Sequence, residues 1–187
     1  MATTDVSICN VSLVMIGAND INSFSDNTNE AKVASSIYED TKLTLLQSHP
    51  WRFSLVQADL GGALTTEPLF KYKYQYQLPA DLLRIIELDG NMDYEIFGDK
   101  LYTDSSVCRI VYQFKVSESK MPNYFKRALQ FELARIFSMS LQEDAVKMTV
   151  FDTAAQKELV RARSIDSQQQ PNKFISEVNY SMLNVRG

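Results

Sequence analysis

The hydrophobic period of the chain changes twice, and this change constrains the fold more than any other feature of the sequence. Near both ends, apolar residues recur every three or four positions, the spacing that aligns side chains on one face of an α-helix. Between residues 54 and 118 the period falls towards two, as in strands with one buried face. The sequence therefore predicts an α+β fold, with helices before and after a section of strands.

Two helices are predicted before residue 54. The first spans about residues 4–16, with Thr4 or Asp5 as the N-terminal cap and Gly17 at the end. The second spans about residues 28–47. The residues that recur at helical spacing are Val6, Cys9, Leu13 and Ile16 in the first helix, and Ala34, Ile37 with Tyr38, Thr41 and Leu45 in the second.

The middle section is predicted to form a small, mostly antiparallel β unit. Residues 70–78 alternate between apolar or aromatic and polar side chains, which indicates a strand with one buried face. Gly98-Asp99 is typical of a hairpin turn between two further strands. Additional strands are predicted over residues 83–88, 94–97, 100–103 and 107–114.

Three tyrosines alternate with two lysines in the strand predicted over residues 70–78. Aromatic side chains beside cations can stack nucleic-acid bases. Strict alternation places the tyrosines on one face and the lysines on the other, so we expect the tyrosines to lie in the core. The residues are Tyr72, Tyr74 and Tyr76, with Lys71 and Lys73 between them.

Helical period returns after the strands and predicts two further helices. One starts near Met121, and the other spans about residues 142–165. Because each apolar stripe needs another to cover it, the simplest packing is a four-helix bundle with the β unit inserted between helices two and three. The predicted domains are a discontinuous helical bundle (1–53 and 119–166), an inserted β domain (54–118) and an extended C-terminal tail (167–187).

The tail is apolar although it follows a polar break at residues 168–172. An apolar segment with no place on a completed bundle commonly marks an interaction surface. Two interpretations stay open, because the tail can fold onto the chain's own β unit or order on a partner. Its apolar residues are Phe174, Ile175, Val178, Tyr180, Met182, Leu183 and Val185.

Histidine and cysteine are too scarce for most metal and nucleophile sites. The 187 residues contain one histidine, His49, and two cysteines, Cys9 and Cys108. Metal sites usually need clusters of these residue types, and a Ser-His or Cys-His nucleophile could use only His49. We therefore expect no cofactor, a capping or packing role for His49, and buried reduced thiols.

Acidic residues are the remaining route to catalysis. A glycosidase needs two carboxylates about 5–10 Å apart across a cleft, and no phosphate-binding or nucleophile-elbow motif occurs in the sequence. A hydrolase that uses acidic residues is therefore the enzymatic alternative. The obvious carboxylate pairs are Glu39-Asp40, Glu143-Asp144 and Asp93 with Glu95.

The formal net charge is −4, which disfavours free binding of nucleic acid because phosphate neutralisation needs clustered cations. The charge is uneven: residues 1–53 carry −3, residues 54–118 carry −4 and residues 119–187 carry +3. The cations Lys157, Arg161 and Arg163 lie in the last third, on a solvated helix face or at a contact with an acidic partner. The sequence contains no run of about 18 apolar residues, so it predicts no membrane-spanning helix.

Several short motifs follow one another along residues 5–165, and the most specific is the helix end His49-Pro50-Trp51-Arg52-Phe53. The others are Ile8-Cys9-Asn10, Ile16-Gly17, Glu30-Ala31, Tyr38, Leu45-Leu46, Leu78-Pro79-Ala80-Asp81, Leu83-Arg84, Tyr94-Glu95-Ile96, Leu101-Tyr102-Thr103-Asp104, Met121-Pro122, Phe125, Ala128-Leu129 and Leu133-Ala134. In this order they resemble the head-to-tail adaptor proteins of short-tailed bacteriophages, also called tail tubular protein A or gateway adaptors.

The resemblance implies a structural, non-enzymatic virion protein. Such adaptors form a twelve-subunit ring between the portal of the filled capsid and the tail nozzle, and DNA passes through the ring without sequence-specific binding. The implied location is the virion neck, and the protein would lie in the host cytoplasm during assembly. No membrane is implied as a partner. Adaptors of this family dock on the portal partly through C-terminal extensions, so the resemblance implies portal binding by Phe174, Ile175, Val178, Tyr180, Met182 and Leu183.

The predicted boundary between the bundle and the β unit follows directly after Trp51, Arg52 and Phe53. We expect these residues either to fix the junction between the two or to be ordinary core. The alternative function is a tail-associated cell-wall hydrolase that uses acidic residues.

Overall fold

The computed structural model describes residues 4–169, which form a mixed α+β fold with four helices and two small antiparallel sheets. In chain order, the strands all lie between the second and third helices. The helices are α1 (Asp5–Ile16), α2 (Asn29–Gln47), α3 (Asn123–Gln142) and α4 (Ala145–Ser167). The strands are β1 (Leu55–Asp59), β2 (Tyr74–Gln77), β3 (Leu82–Leu88), β4 (Tyr94–Phe97), β5 (Lys100–Thr103) and β6 (Arg109–Phe114).

The first two helices begin and end as the sequence predicts. The Thr4 hydroxyl accepts the N–H of Ser7 at 3.1 Å, which satisfies one of the unpaired amides at the start of α1. Gly17 adopts a left-handed conformation (φ 81°) that ends the helix, a conformation that costs other residues more. Thr28 caps α2 in the same way, through the N–H of Ala31. Both helix predictions are confirmed.

The later helices differ slightly from the predicted ranges. The helix predicted to start near Met121 begins at Asn123, and Pro122 precedes it as the N-cap. Glu143 turns the chain between α3 and α4 with φ 50°, and the Asp144 carboxylate accepts the N–H of Lys147 at 2.9 Å. Because Asp144 supplies this cap, α4 begins three residues later than predicted, and it continues to Ser167.

Both sheets are antiparallel, with strand orders β1-β6-β3 and β2-β5-β4. The predicted hairpin at Gly98-Asp99 is confirmed, since Phe97 pairs with Lys100 on either side of it and Gly98 has φ 62°. The strand β1 was not predicted. Its residues, Leu55–Asp59, pair with Arg109–Gln113 along β6 and do not alternate in burial.

The strand predicted over residues 70–78 is wrong in extent, because only Tyr74–Gln77 form β2. Lys71 has φ 73°, which breaks the extended chain. The partner strand also ends at Thr103, and the next residue, Asp104, accepts the Lys73 N–H with its side chain at 3.0 Å. The alternating pattern therefore continues beyond the hydrogen-bonded ladder.

Two clusters of buried apolar residues hold the described chain together. The first consists mainly of residues from the four helices and includes Trp51, and the second consists of strand residues and the segments beside them. Cys9 and Cys108 lie in separate clusters as free, buried thiols, as predicted. Burial raises the pKa of Cys9 to about 12 and that of Cys108 to about 11. None of the helices within residues 4–169 is long and apolar enough to cross a membrane.

Candidate functional site

Trp51 anchors the segment that joins α2 to β1. Its side chain is fully buried, and its Nε1 donates to the carbonyl of Leu45 at 3.0 Å. Its ring meets the Phe125 ring edge-on at 5.1 Å between centroids, and the Phe53 ring lies 6.1 Å away. Such edge-to-face contacts add to the free energy of burial. Trp51 therefore fixes the end of α2 against α3 with its one polar atom hydrogen-bonded.

Asp166, at the C-terminal end of α4, is a buried acceptor for the same segment. Its side chain is 1% exposed, and its two oxygens lie 3.1 and 3.0 Å from the backbone nitrogen of Arg52. The Tyr124 hydroxyl of α3 donates to the same carboxylate at 2.7 Å. A buried carboxylate is tolerated only where donors satisfy it. The backbone at Arg52 is therefore tied to α3 and α4 at a single point.

His49 packs beside this cluster. Its ring meets the Trp51 ring edge-on at 4.9 Å, and its Nε2 lies 3.8 Å from an Asp166 oxygen, too far for a hydrogen bond. Burial lowers the pKa of His49; Asp166 acts in the opposite direction, whereas nearby arginines lower the pKa further. The arginines are Arg163, Arg84 and Arg52. The neighbouring Ser48 hydroxyl donates its proton to the carbonyl of Leu45 at 2.8 Å and not to the imidazole.

Gln113 joins the strands to the end of α2. It lies on β6 and is fully buried, and its Nε2 is within 2.7 Å of the Leu46 carbonyl and 2.9 Å of the His49 carbonyl. The same nitrogen lies 2.9 Å from the Ser54 hydroxyl oxygen. Since α2 has ended, these carbonyls have no helical N–H to bind. One amide from the sheet therefore completes the end of a helix.

A second connection forms where the chain leaves the strands. Lys42 of α2 is 4% exposed, and its Nζ lies 2.8 Å from a Glu118 oxygen and 2.7 Å from a Glu39 oxygen. The Tyr38 hydroxyl donates to the same Glu118 oxygen at 3.2 Å. Burial by itself lowers the pKa of Lys42, but its hydrogen bonds with Glu118 and Glu39 outweigh burial and raise it. Lys42 is therefore held charged.

The three sequence-predicted junction residues are thus brought together with residues that the sequence did not indicate. Gln113 and Asp166 lie 64 and 114 residues from their partners His49 and Arg52, so no local pattern reveals them. Lys42 offered a weak signal, because a lysine follows Tyr38 by four positions on the face that α2 buries.

One carboxylate of each acidic pair considered for hydrolysis has a structural partner. Glu39 forms ion pairs with Lys42 and with Lys115, whose Nζ lies 2.5 Å away. Glu95 pairs with Lys71. As described above, Asp144 caps α4. These three carboxylates are therefore committed to cations or to a helix end.

The tyrosines of the alternating segment are unequally buried. Tyr76 is fully buried, and its hydroxyl donates to the Ser105 carbonyl at 2.8 Å, whereas Tyr72 and Tyr74 are half-buried. Both lysines between them are exposed. The interpretation as core therefore holds fully for Tyr76 alone.

The cations predicted near the end of the fourth helix lie on α4. Lys157 and Arg161 are exposed, whereas Arg163 is half-buried, with Nη2 3.4 Å from the Ser48 carbonyl. Within residues 4–169, no group of three or more His, Cys, Asp and Glu residues is arranged to hold a metal ion. The tail residues Phe174, Ile175, Val178, Tyr180, Met182 and Leu183 lie outside the described residues.

No protein-family model matches the chain, and no curated protein matches it either.

Proposed function

We propose that this chain is a structural virion protein, a head-to-tail adaptor that forms a twelve-subunit ring between the portal and the tail nozzle of a short-tailed bacteriophage. One observation carries the proposal: helices from both ends of the chain share one apolar cluster, while the strands between them build another. This is the arrangement expected from the ordered motifs that resemble the adaptor family, above all His49-Pro50-Trp51-Arg52-Phe53. This packing of the described residues is the support for the proposed family fold.

In this proposal the helices form a discontinuous bundle domain (1–53 and 119–166), and the strands form a β domain (54–118) inserted into it. Trp51, Arg52 and Phe53 form the junction at the first crossing, where Asp166 and Gln113 bind the backbone. At the second crossing, two ion pairs from α2 take the same role: Lys42 binds Glu118, and Glu39 binds Lys115.

The two buried polar contacts between the proposed domains would suit a ring subunit that must keep its shape while DNA passes. A single crossing would let one domain pivot about the chain, whereas two separated crossings with directional hydrogen bonds oppose rotation. An adaptor must keep a continuous bore between portal and nozzle while DNA passes. The paired crossings would hold the two domains of each subunit in register.

The charge of the chain is compatible with DNA passage. A bore that released DNA readily would avoid clustered cations, because each phosphate contact strengthens binding and its dependence on salt. The net charge of −4 meets that need. We propose that viral DNA moves through the ring without sequence-specific binding, and that the protein needs no cofactor and no membrane.

The tail supplies the contact with the portal in this proposal. Residues 167–187 would bind through Phe174, Ile175, Val178, Tyr180, Met182 and Leu183. A short apolar segment that orders on its partner can form a specific contact at the cost of ordering entropy. The ring would then be recruited from the host cytoplasm to the virion neck during assembly.

Co-sedimentation with portal rings of the phage that encodes the chain tests this function. The protein should move with the portal rings through a density gradient and remain at the top without them. Failure to co-sediment at any salt concentration would contradict the proposal. Incubation with peptidoglycan tests the hydrolase alternative: turnover that is abolished by one Asp or Glu substitution would replace the purely structural function.

A further inference from the structure

The outward face of α4 carries exposed valines. Val146, Val150 and Val160 are 76, 61 and 67% exposed, and the helical period places them in one stripe. Isolated exposed apolar residues are ordinary, but an aligned set marks a contact surface. Valine is also a poorer helix former than the straight-chain residues usual on solvated faces. The exposed valines therefore do not add to the stability of the isolated chain.

The same outward face is basic. Lys157 and Arg161 fall within the valine stripe, are exposed and have no ion-pair partner among residues 4–169. Two acids of α4 point to other sides of the helix. Asp152 lies 3.7 Å from Arg135, and Glu158 lies 3.0 Å from Arg127, both on α3. The face defined by Val146, Val150, Lys157, Val160 and Arg161, here the α4 face, is therefore positive and apolar.

The opposite charge is found at the end of the strands farthest from the helices. Gln113, at one end of β6, binds the end of α2, whereas Arg109, at the other end, pairs with Asp59 at 3.2 Å. Five exposed acids surround this far end, against two exposed cations, Arg109 and Lys73. The acids of this distal acidic end are Asp59, Glu87, Asp89, Asp93 and Asp104.

The distal acidic end is also partly apolar. Met92 and Val107 are about half exposed there. A recess of about 570 Å³ lies beside Met92 and is lined also by Asp93 and Asp104. Neither Glu87 nor Asp93 has an ion-pair partner among the described residues. The end therefore offers unpaired negative charge around apolar contact area.

We propose that the α4 face docks on the distal acidic end of a second copy of this chain. The two surfaces are opposite in charge, and each presents apolar groups that a close contact would bury. The α4 face is about 22 Å long at 1.5 Å per residue, and three strands are about 10 Å across from first to last, so one helix can cover the end of a sheet.

The contact joins two different surfaces and is therefore heterologous. Each subunit would present its α4 face to one neighbour and its distal acidic end to the other, and such contacts close into a ring when the rotation permits. This inference rests on the proposed adaptor ring and names the surfaces that join its subunits.

Cross-linking between two single-cysteine variants tests the contact even where association is weak. Cys9 and Cys108 are buried, so a short bis-maleimide should react with an introduced surface thiol. Val150→Cys on one chain and Asp93→Cys on a second chain of distinguishable mass should give several-fold more covalent heterodimer than Lys32→Cys with Asp93→Cys, because Lys32 is exposed on α2. Equal yields from the two mixtures would overturn the proposal.

Charge reversal supplies an independent check in the same assay. Lys157→Glu with Arg161→Glu should reduce the cross-link several-fold, and so should Glu87→Lys on the Asp93→Cys chain. Combining the two reversed surfaces in one mixture should restore the cross-link. Lys32→Glu with Lys120→Glu changes the net charge equally at two other exposed positions and should leave the yield unchanged. Loss with this control, or no restoration, would contradict the docking.

The outcomes separate this contact from the adaptor function. Co-sedimentation with portal rings but equal cross-linking in the Val150→Cys and Lys32→Cys mixtures would refute the contact and leave the adaptor function standing. Selective cross-linking without any binding to portal rings would support the contact and refute the adaptor function.

Discussion

The Asp166 carboxylate accepts the backbone N–H of Arg52 across 114 residues of sequence, at 3.1 and 3.0 Å from its two oxygens. The contact joins the last described helix to the first residue after Trp51. The same carboxylate also binds the Tyr124 hydroxyl, and burial together with Asp166 raises the pKa of Tyr124. One acid near the end of α4 therefore holds three separate parts of the chain.

Asp166→Ala should lower the free energy of unfolding by about 2–3 kcal/mol, since hydrogen bonds to a charged group are lost and buried donors are left without a partner. Urea denaturation followed by circular dichroism measures the change. Asp152→Ala on the same helix is the matched control, because its partly exposed ion pair with Arg135, at 3.7 Å, should be worth less than about 1 kcal/mol. Equal losses in the two variants would contradict the role of Asp166.

Gln113→Leu should cost about 2 kcal/mol of unfolding free energy, because the Leu46 carbonyl loses its side-chain donor in a buried site and the His49 carbonyl keeps only the Trp51 N–H. Thermal and urea denaturation are the measurements. Gln57→Leu provides the comparison, since Gln57 is exposed on β1 and should change stability by no more than about 0.5 kcal/mol. A Gln113→Leu variant as stable as Gln57→Leu would show that the amide does not connect sheet and helix.

Lys42→Met should destabilise the protein by about 2–3 kcal/mol, because the partly buried Glu118 loses its cation, whereas Glu39 keeps its ion pair with Lys115. Lys32→Met, exposed on the same helix, should change stability little. In a double-mutant cycle, Glu118→Gln should recover part of the loss. Strict additivity of the Lys42 and Glu118 substitutions would contradict direct coupling between them.

His49 should make stability depend on pH just below neutrality. The folded state lowers its pKa from 6.5, mainly through burial, so the unfolded chain binds the proton more readily. The native state is therefore unaffected above pH 6.5 and loses stability as pH falls below 6.5. Arg52, Arg84 and Arg163 oppose protonation, and Asp166 favours it.

His49→Gln should flatten this pH dependence. Urea denaturation at about pH 7.5 and pH 5.5 should show a smaller loss of unfolding free energy in the variant than in the native chain. Identical losses would show that protonation of His49 does not limit stability in this range.

Local signals predicted the elements, whereas long-range polar contacts could not be predicted from the sequence. A cap such as Thr4 or a turn glycine such as Gly98 acts within a few residues of itself, so both were found. The alternation over residues 70–78 overstated β2, because ladder length is decided by the partner strand, which ends at Thr103. Asp166 could be recognised only after folding had brought it to Arg52.

The sequence likewise predicted the aromatic part of the candidate site but not its polar contacts. Trp51 stood out from its position after a helix-ending proline, and the structure buries it among aromatic rings. The buried polar residues of the site, Gln113 and Lys42, lie where the pattern of apolar and polar residues predicts only a strand and a helix face. The local sequence does not distinguish a buried polar residue from an exposed one, because burial of a polar side chain depends on a hydrogen-bond partner that is distant in sequence.

Removal of residues 170–187 should separate folding from portal binding. The cut leaves Asp166 and all of α4 in place, so the unfolding transition should match that of the full chain. We expect the shortened chain to stay behind when portal rings sediment. Unchanged co-sedimentation would show that the C-terminal residues are not the portal contact.

The proposed adaptor ring can be observed by electron microscopy of the full chain mixed with portal rings of a short-tailed phage that encodes it. We expect an additional ring of twelve subunits below the portal, coaxial with it and with an open bore. Portal rings that remain bare at saturating protein, or that carry the chain at scattered sites without a closed ring, would contradict the proposal.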